Sequence, residues 1–138
     1  MEAVLEKRQS VSRDQADALA SEPSIKECTI LAARRYLEKR GFAVKQKWES
    51  DTQLGFVVED EDVLAFVHVV SNGLDKKGFP AETIMSREEF EEAAISWLTT
   101  YGQEYVNVPV RFDELTLKVL CEDRALVRHH INALGACE

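Results

Sequence analysis

Val63-Leu64-Ala65-Phe66-Val67-His68-Val69-Val70 is apolar at every position except His68. A strand with one wet face alternates apolar and polar side chains. A nearly unbroken apolar run of this length instead reads as a strand covered on both faces, the centre of a layered α/β fold. Upstream, Leu54 to about Glu59 gives a short strand, and Glu59-Asp60-Glu61-Asp62 reads as the hairpin turn joining the two, without the glycine that would fix its type. Further back, Phe42, Val44, Gln46 and Trp48 alternate with Ala43, Lys45 and Lys47, the period of a half-buried strand. Before that, Ile25, Cys28, Ala32, Ala33, Tyr36 and Leu37 recur at helical spacing, Ser24 and Glu27 form a capping box, and Gly41 ends the helix.

Downstream of the central strand, Ser71 to Pro80 has the composition of a loop. Ser86 and Glu89 form a second capping box, and Phe90, Ala93, Ala94, Trp97, Leu98 and Tyr101 carry the apolar stripe of a helix ended by Gly102. Val108 to Leu120 reads as one long or bent strand with Phe112, Leu115, Leu117 and Val119 inside. Asp123 to Gly135 fits either a strand or a short helix. Residues 1–23 are mostly polar and read as an N-terminal arm, mobile or loosely docked as a helix, leaving 24–138 as a single domain. The order is helix, three strands, helix, strand. Three strands in a meander followed by a helical crossover make the last pair parallel, so an α/β architecture with a mixed β-sheet flanked by helices is expected.

The 138 residues carry 17 Lys+Arg against 25 Asp+Glu, a net charge of -8 that disfavours general nucleic-acid binding. Cys28, Cys121 and Cys137 are odd in number and widely spaced, which points to free thiols and away from a disulfide framework or zinc site. The N-terminus lacks a secretory apolar core, and no apolar run approaches the ~18 residues of a membrane span. A cytoplasmic protein without a membrane partner is expected.

Several segments in order resemble one family: Ala32-Ala33-Arg34-Arg35-Tyr36-Leu37-Glu38-Lys39-Arg40-Gly41-Phe42, Trp48, Leu64 to Val70, Phe79-Pro80, Ala93-Ala94 with Trp97-Leu98, Val110-Arg111-Phe112-Asp113, and His130-Ile131-Asn132-Ala133-Leu134. Over about residues 24–135 the chain resembles the YraN-type family of bacterial proteins in the restriction-endonuclease-like nuclease superfamily. The resemblance implies a three-layer core of order α-β-β-β-α-β. It also implies a Mg²⁺ site built from carboxylates on two neighbouring strands, a lysine two residues beyond the second carboxylate, and a glutamate on the first helix. Carboxylates suit that task because Mg²⁺ takes hard oxygen ligands, and the lysine shares their strand face because side chains alternate.

This chain departs from that pattern at every position. Gln53 and Gly55 stand where the resembled strand has glutamate and aspartate, His68 and Val70 where the next has glutamate and lysine, and Ile30 where the helix has glutamate. No Glu-x-Lys or Asp-x-Lys occurs on the central strand. The expectation is a catalytically degenerate nuclease-like protein with a binding or structural role, no catalytic residue and no cofactor. The alternative is a Mg²⁺- or Mn²⁺-dependent DNA endonuclease, Holliday-junction-resolvase-like, whose ligands have moved to Asp51, Glu59 or Glu82. A third reading is a non-cleaving nucleic-acid-binding module using Arg34, Arg35 and Arg40 as phosphate or partner contacts.

The segment Glu88-Glu89-Phe90-Glu91-Glu92 would repel DNA, so a protein is the favoured partner and nucleic-acid binding is expected to be weak. His68 reads as a hydrogen-bonded core histidine. His129 and His130 face opposite ways if they lie in a strand, and a surface or tail position is expected for them. Cys28 is expected in the core, and Trp48 and Trp97 are expected to pack.

Overall fold

Both helices begin where the capping boxes place them. In α1 (Ile25–Lys39) the Ser24 hydroxyl accepts from the Glu27 N–H, and the Glu27 carboxylate accepts from the Ser24 N–H. In α2 (Arg87–Tyr101) Ser86 and Glu89 repeat the exchange. Each box satisfies two amide donors that the first turn would otherwise leave open. Gly41 follows α1 with φ 91°, a left-handed value that glycine adopts without a Cβ clash. The helix α2 tightens at Gly102 into a 3₁₀ turn, Gly102–Tyr105.

The computed structural model describes residues 3–7, 24–50, 53–80, 85–105, 107–121 and 123–133. Its strands are β1 (Ala3–Lys7), β2 (Ala43–Glu49), β3 (Leu54–Asp60), β4 (Val63–Asn72), β5 (Val110–Cys121) and β6 (Arg124–His130). They form one six-stranded mixed sheet in the order β1-β6-β5-β4-β3-β2. The meander β2-β3-β4 is antiparallel, β4 and β5 are parallel across the α2 connection, and β6 returns antiparallel to β5. The α/β class and the expected mixed sheet are therefore present. The β3–β4 turn encloses Glu61-Asp62, and Glu61 takes φ 57° in place of the missing glycine.

Three readings change. The expected arm contains a strand, since Ala3–Lys7 pairs antiparallel with β6 at the sheet edge; residues 8–23 lie outside the described residues. The ambiguous tail resolves as β6 over Arg124–His130, because its alternation Ala125, Val127, His129 fills the core from a strand. Along β2, a bulge at Lys45 breaks the pairing between Val44 and Gln46. The extra residue inverts the alternation, so Val44 packs on the α1 side of the sheet and Trp48 on the α2 side.

Two cores result. Under α1 lie Ala33, Tyr36, Leu37, Phe56, Val67, Leu115 and Val127. Under α2 lie Val57, Leu64, Phe66, Met85, Phe90 and Ala94, with Trp48, Trp97 and Phe112 against them. Cys28 is buried on α1 as expected. At about 1.5–3 kcal/mol for each large apolar side chain taken fully out of water, these two layers hold the helices to the sheet. Among the described residues no helix is long and apolar enough to cross a membrane.

Candidate functional site

The pairing registers set four residues in one row across the α2 side of the sheet. Gly55 of β3 pairs with His68 of β4, His68 with Glu114 of β5, and Glu114 with His130 of β6. Gly55 and His68, which the resemblance placed at two ligand positions, are thus immediate neighbours. His68 Nδ1 lies 3.1 Å from Glu114 Oε2, and the edge of its ring meets Phe90 of α2 at a centroid distance of 6.3 Å. Glu114 is 1% exposed, and its other oxygen, Oε1, is buried with no hydrogen-bond partner among the described residues.

Around this row stand the other expected positions. The Gln53 amide donates to the Glu89 carboxylate at 3.4 Å. The Glu89 carboxyl is held below the usual carboxylate range, chiefly by the Ser86 N–H and hydroxyl, with smaller help from Gln53 and the field of His68. Val70 is half-buried and pairs with the buried Thr116. Ile30 is not brought to the row: it sits on α1 and packs into the core on the opposite side of the sheet. The structure therefore groups Gln53, Gly55, His68 and Val70 and leaves Ile30 out.

Space at Gly55 is already taken. A Cβ there would lie 2.2 Å from Trp48 Cζ2, because the indole occupies that space. The β2 bulge delivers Trp48 to this face, where it also contacts the Phe66 ring at 6.3 Å. An amide, a glycine, an imidazole and a valine do not fit Mg²⁺, which takes oxygen ligands in near-octahedral geometry. Among the described residues no group of three or more His, Cys, Asp or Glu side chains is placed to hold a metal ion. Of the relocated carboxylates, Glu59 stands four residues along β3 from Gly55. Lys45 pulls its carboxyl below the usual range at 2.8 Å, with Tyr105 assisting. Asp51 and Glu82 lie outside the described residues.

On the α1 side a second polar cluster is buried. The Asp113 carboxylate accepts from Arg111 Nε at 2.8 Å and from the backbone N–H of Asn132 at 2.8 Å, and lies 3.0 Å from His129 Nε2. His129 Nδ1 is 3.1 Å from the Tyr36 hydroxyl, and Arg111 extends the chain to Asp60 at 3.0 Å. Burial pushes the Asp113 carboxyl up, but the hydrogen bonds from His129, Arg111 and Asn132 outweigh it and leave the carboxyl below its ordinary value. Tyr36 is 1% exposed and Asp113 fully buried, so this Tyr-His-Asp chain has no approach for a substrate and ties α1, β5 and β6 together.

His129 therefore corrects the expectation of a surface or tail histidine. His130 does face the other way, half-buried at the end of the row. Sequence reasoning gave Asp113 and Glu114 no role, although a signal was there. Two adjacent carboxylates in the strand from Val110 to Leu120 must point to opposite faces, so where the strand is covered on both faces each needs a buried partner.

The basic residues of α1 and β2 are mostly occupied. Lys26 and Lys47 both pair with Glu49, Lys45 with Glu59, and Arg34 with Glu38 at 3.6 Å. Arg40 lies over the Tyr36 ring at 5.8 Å. Arg35 is the exception, with no carboxylate partner among the described residues. Compared with known proteins, the chain matches no family model and no curated protein.

Proposed function

We propose that this protein is a catalytically degenerate member of the restriction-endonuclease-like nucleases, retained as a binding scaffold that does not cleave. The reading starts from the resemblance to the YraN-type family. The observation that carries it is the Trp48 indole against Gly55, on the strand position where the resembled nucleases hold an aspartate. A metal-dependent phosphodiesterase keeps that position open to ion, water and substrate. Here it is filled by an aromatic ring, and the neighbouring His68 is engaged by Glu114 under Phe90. The two segments of the resemblance around Arg111–Asp113 and His130–Asn132 meet in one buried cluster through Asp113 and the Asn132 N–H, which supports keeping the fold while the chemistry is lost.

Calorimetric titration with Mn²⁺ and incubation with linear and branched DNA test this. The expected result is neither a stoichiometric Mn²⁺ site of submillimolar affinity nor cleavage products; finding both overturns the reading. A gain-of-site variant sharpens the test. Gln53→Glu, Gly55→Asp, His68→Glu and Val70→Lys together should lower the melting temperature without metal, since carboxylates are crowded into a partly buried place and the side chain at position 55 meets the Trp48 ring. Mn²⁺ should then restore part of the loss by binding the folded state.

A further inference from the structure

Positive charge without a carboxylate partner among the described residues gathers on the loop after β4 and on β6, whereas α1 contributes Arg35. The loop Gly73–Pro80 covers the side of β5 and β6 that α2 leaves open. It is fixed from beneath, where the buried Lys118 ammonium donates to the Gly73 carbonyl at 2.7 Å and also to the Lys76 carbonyl. From above, Phe79 stacks on the Arg128 guanidinium at 3.8 Å from the ring centre. Lys118 pairs in the sheet with Leu126, midway between Arg124 and Arg128. Holding the Lys76 backbone over Lys118 therefore sets Lys76 above the interval between the two arginines.

Lys76, Lys77 and Arg124 are exposed and Arg128 half-exposed, and none of the four pairs with a carboxylate among the described residues. Asp75 is the loop's only acid. On α1 and β2, by contrast, Glu38, Glu49 and Glu59 neutralise most of the lysines and arginines.

We infer that this loop–β6 face binds the phosphodiester backbone of a nucleic acid. Arg124 and Arg128 leave the same face of one strand about 13 Å apart at ~3.3 Å per residue, with the loop lysines beside them. Cations spread along a line suit an extended polyanion, whereas a single phosphate needs donors that converge. A protein partner would want an apolar centre to the patch, and Leu74 is the only large exposed apolar side chain of the loop. Nucleic-acid interfaces are polar and positively charged, as this one is. The inference names a partner for the scaffold proposed above and rests on that reading only for the expectation that the bound strand stays uncut.

The test is fluorescence anisotropy of a short labelled DNA duplex with the full chain, without divalent metal, from about 50 to 200 mM salt. Four phosphate contacts predict a log–log salt slope of about −3.6, an affinity loss of about 150-fold over that range. Arg124→Gln with Arg128→Gln should halve the slope. Lys76→Gln with Lys77→Gln, in an exposed loop that carries no core side chain, should do the same and guards against a folding defect in the arginine variant. Arg34→Gln with Arg35→Gln should change the slope by less than about one unit.

No binding at 50 mM salt overturns the inference. So does equal loss from the Arg34 and Arg35 variant, which moves the site to α1. Displacement of the duplex by polyglutamate at equal charge concentration also overturns it, in favour of an acidic protein partner. Adding Mg²⁺ and examining the duplex for scission separates the two proposals: cleavage defeats the scaffold reading and leaves the binding face standing, whereas absence of binding in the metal-free titration defeats the binding face and leaves the scaffold reading standing.

Discussion

The two sides of the sheet handle buried charge differently. On the α1 side Asp113 accepts from Arg111, His129 and the Asn132 N–H, and His129 in turn meets Tyr36, so each member of the chain has a partner. On the α2 side Glu114 has one hydrogen-bond partner among the described residues, His68, and its second oxygen has none; the Trp48 N–H nearby is also buried without an acceptor among them. Adjacent residues of one strand thus sit in a saturated site and an unsaturated one. A saturated buried ion cluster loses much when one member goes, because the others are left desolvated and unpaired. An unsaturated carboxylate already bears part of that cost, so its removal changes less.

The largest expected effect is therefore at Asp113. Asp113→Ala leaves Arg111 and His129 facing an empty buried site and should cost about 3–5 kcal/mol in urea unfolding. A loss under about 1 kcal/mol would mean the cluster contributes little. Next is Gly55→Ala, which pushes a methyl into the Trp48 ring and should cost about 1–3 kcal/mol by overpacking. Tryptophan fluorescence should shift with it as the indole leaves its place. Unchanged emission and stability would show that Gly55 is not covered.

The pH dependence separates the two sides further. The Asp113 carboxyl is below its ordinary value of 3.8 in the folded protein, so folding favours its ionised form. That contribution is fully present above the unfolded value and is lost as pH falls from about there through the folded one. Thermal melts between about pH 5 and 2.5 should show the native protein losing more stability than Asp113→Asn. Equal acid slopes in the two proteins would assign the acid sensitivity to other carboxylates.

What the sequence made legible follows from local physics. Ser24 with Glu27 and Ser86 with Glu89 fix both helix starts through contacts three residues apart, and the run from Val63 to Val70 could only be a strand covered twice. The unread parts depend on distant partners. The bulge at Lys45 carries no glycine or other local mark, and it alone decides that Trp48 reaches Gly55. His129 looked like a tail residue because nothing near it in sequence announces Tyr36 or Asp113. The cations of β6 carry no local mark either. Along α1 and β2 the sequence is dense in lysine and arginine, while the glutamates that pair with them come from β2, β3 and α1.

The smallest expected effect is the most discriminating between the two sides. Glu114→Gln keeps the shape and an acceptor for His68 but removes a buried charge whose second oxygen lacks a donor. The lost charge-assisted bond, about 1.5–3 kcal/mol, is offset by relief of a desolvation cost of about 1–3 kcal/mol. The net change should lie within about 1 kcal/mol of zero, against a clear loss for Asp113→Asn made in parallel. If Glu114→Gln is as damaging as Asp113→Asn, then Glu114 Oε1 has a hydrogen-bond partner in solution. The α2 side would then be as saturated as the α1 side.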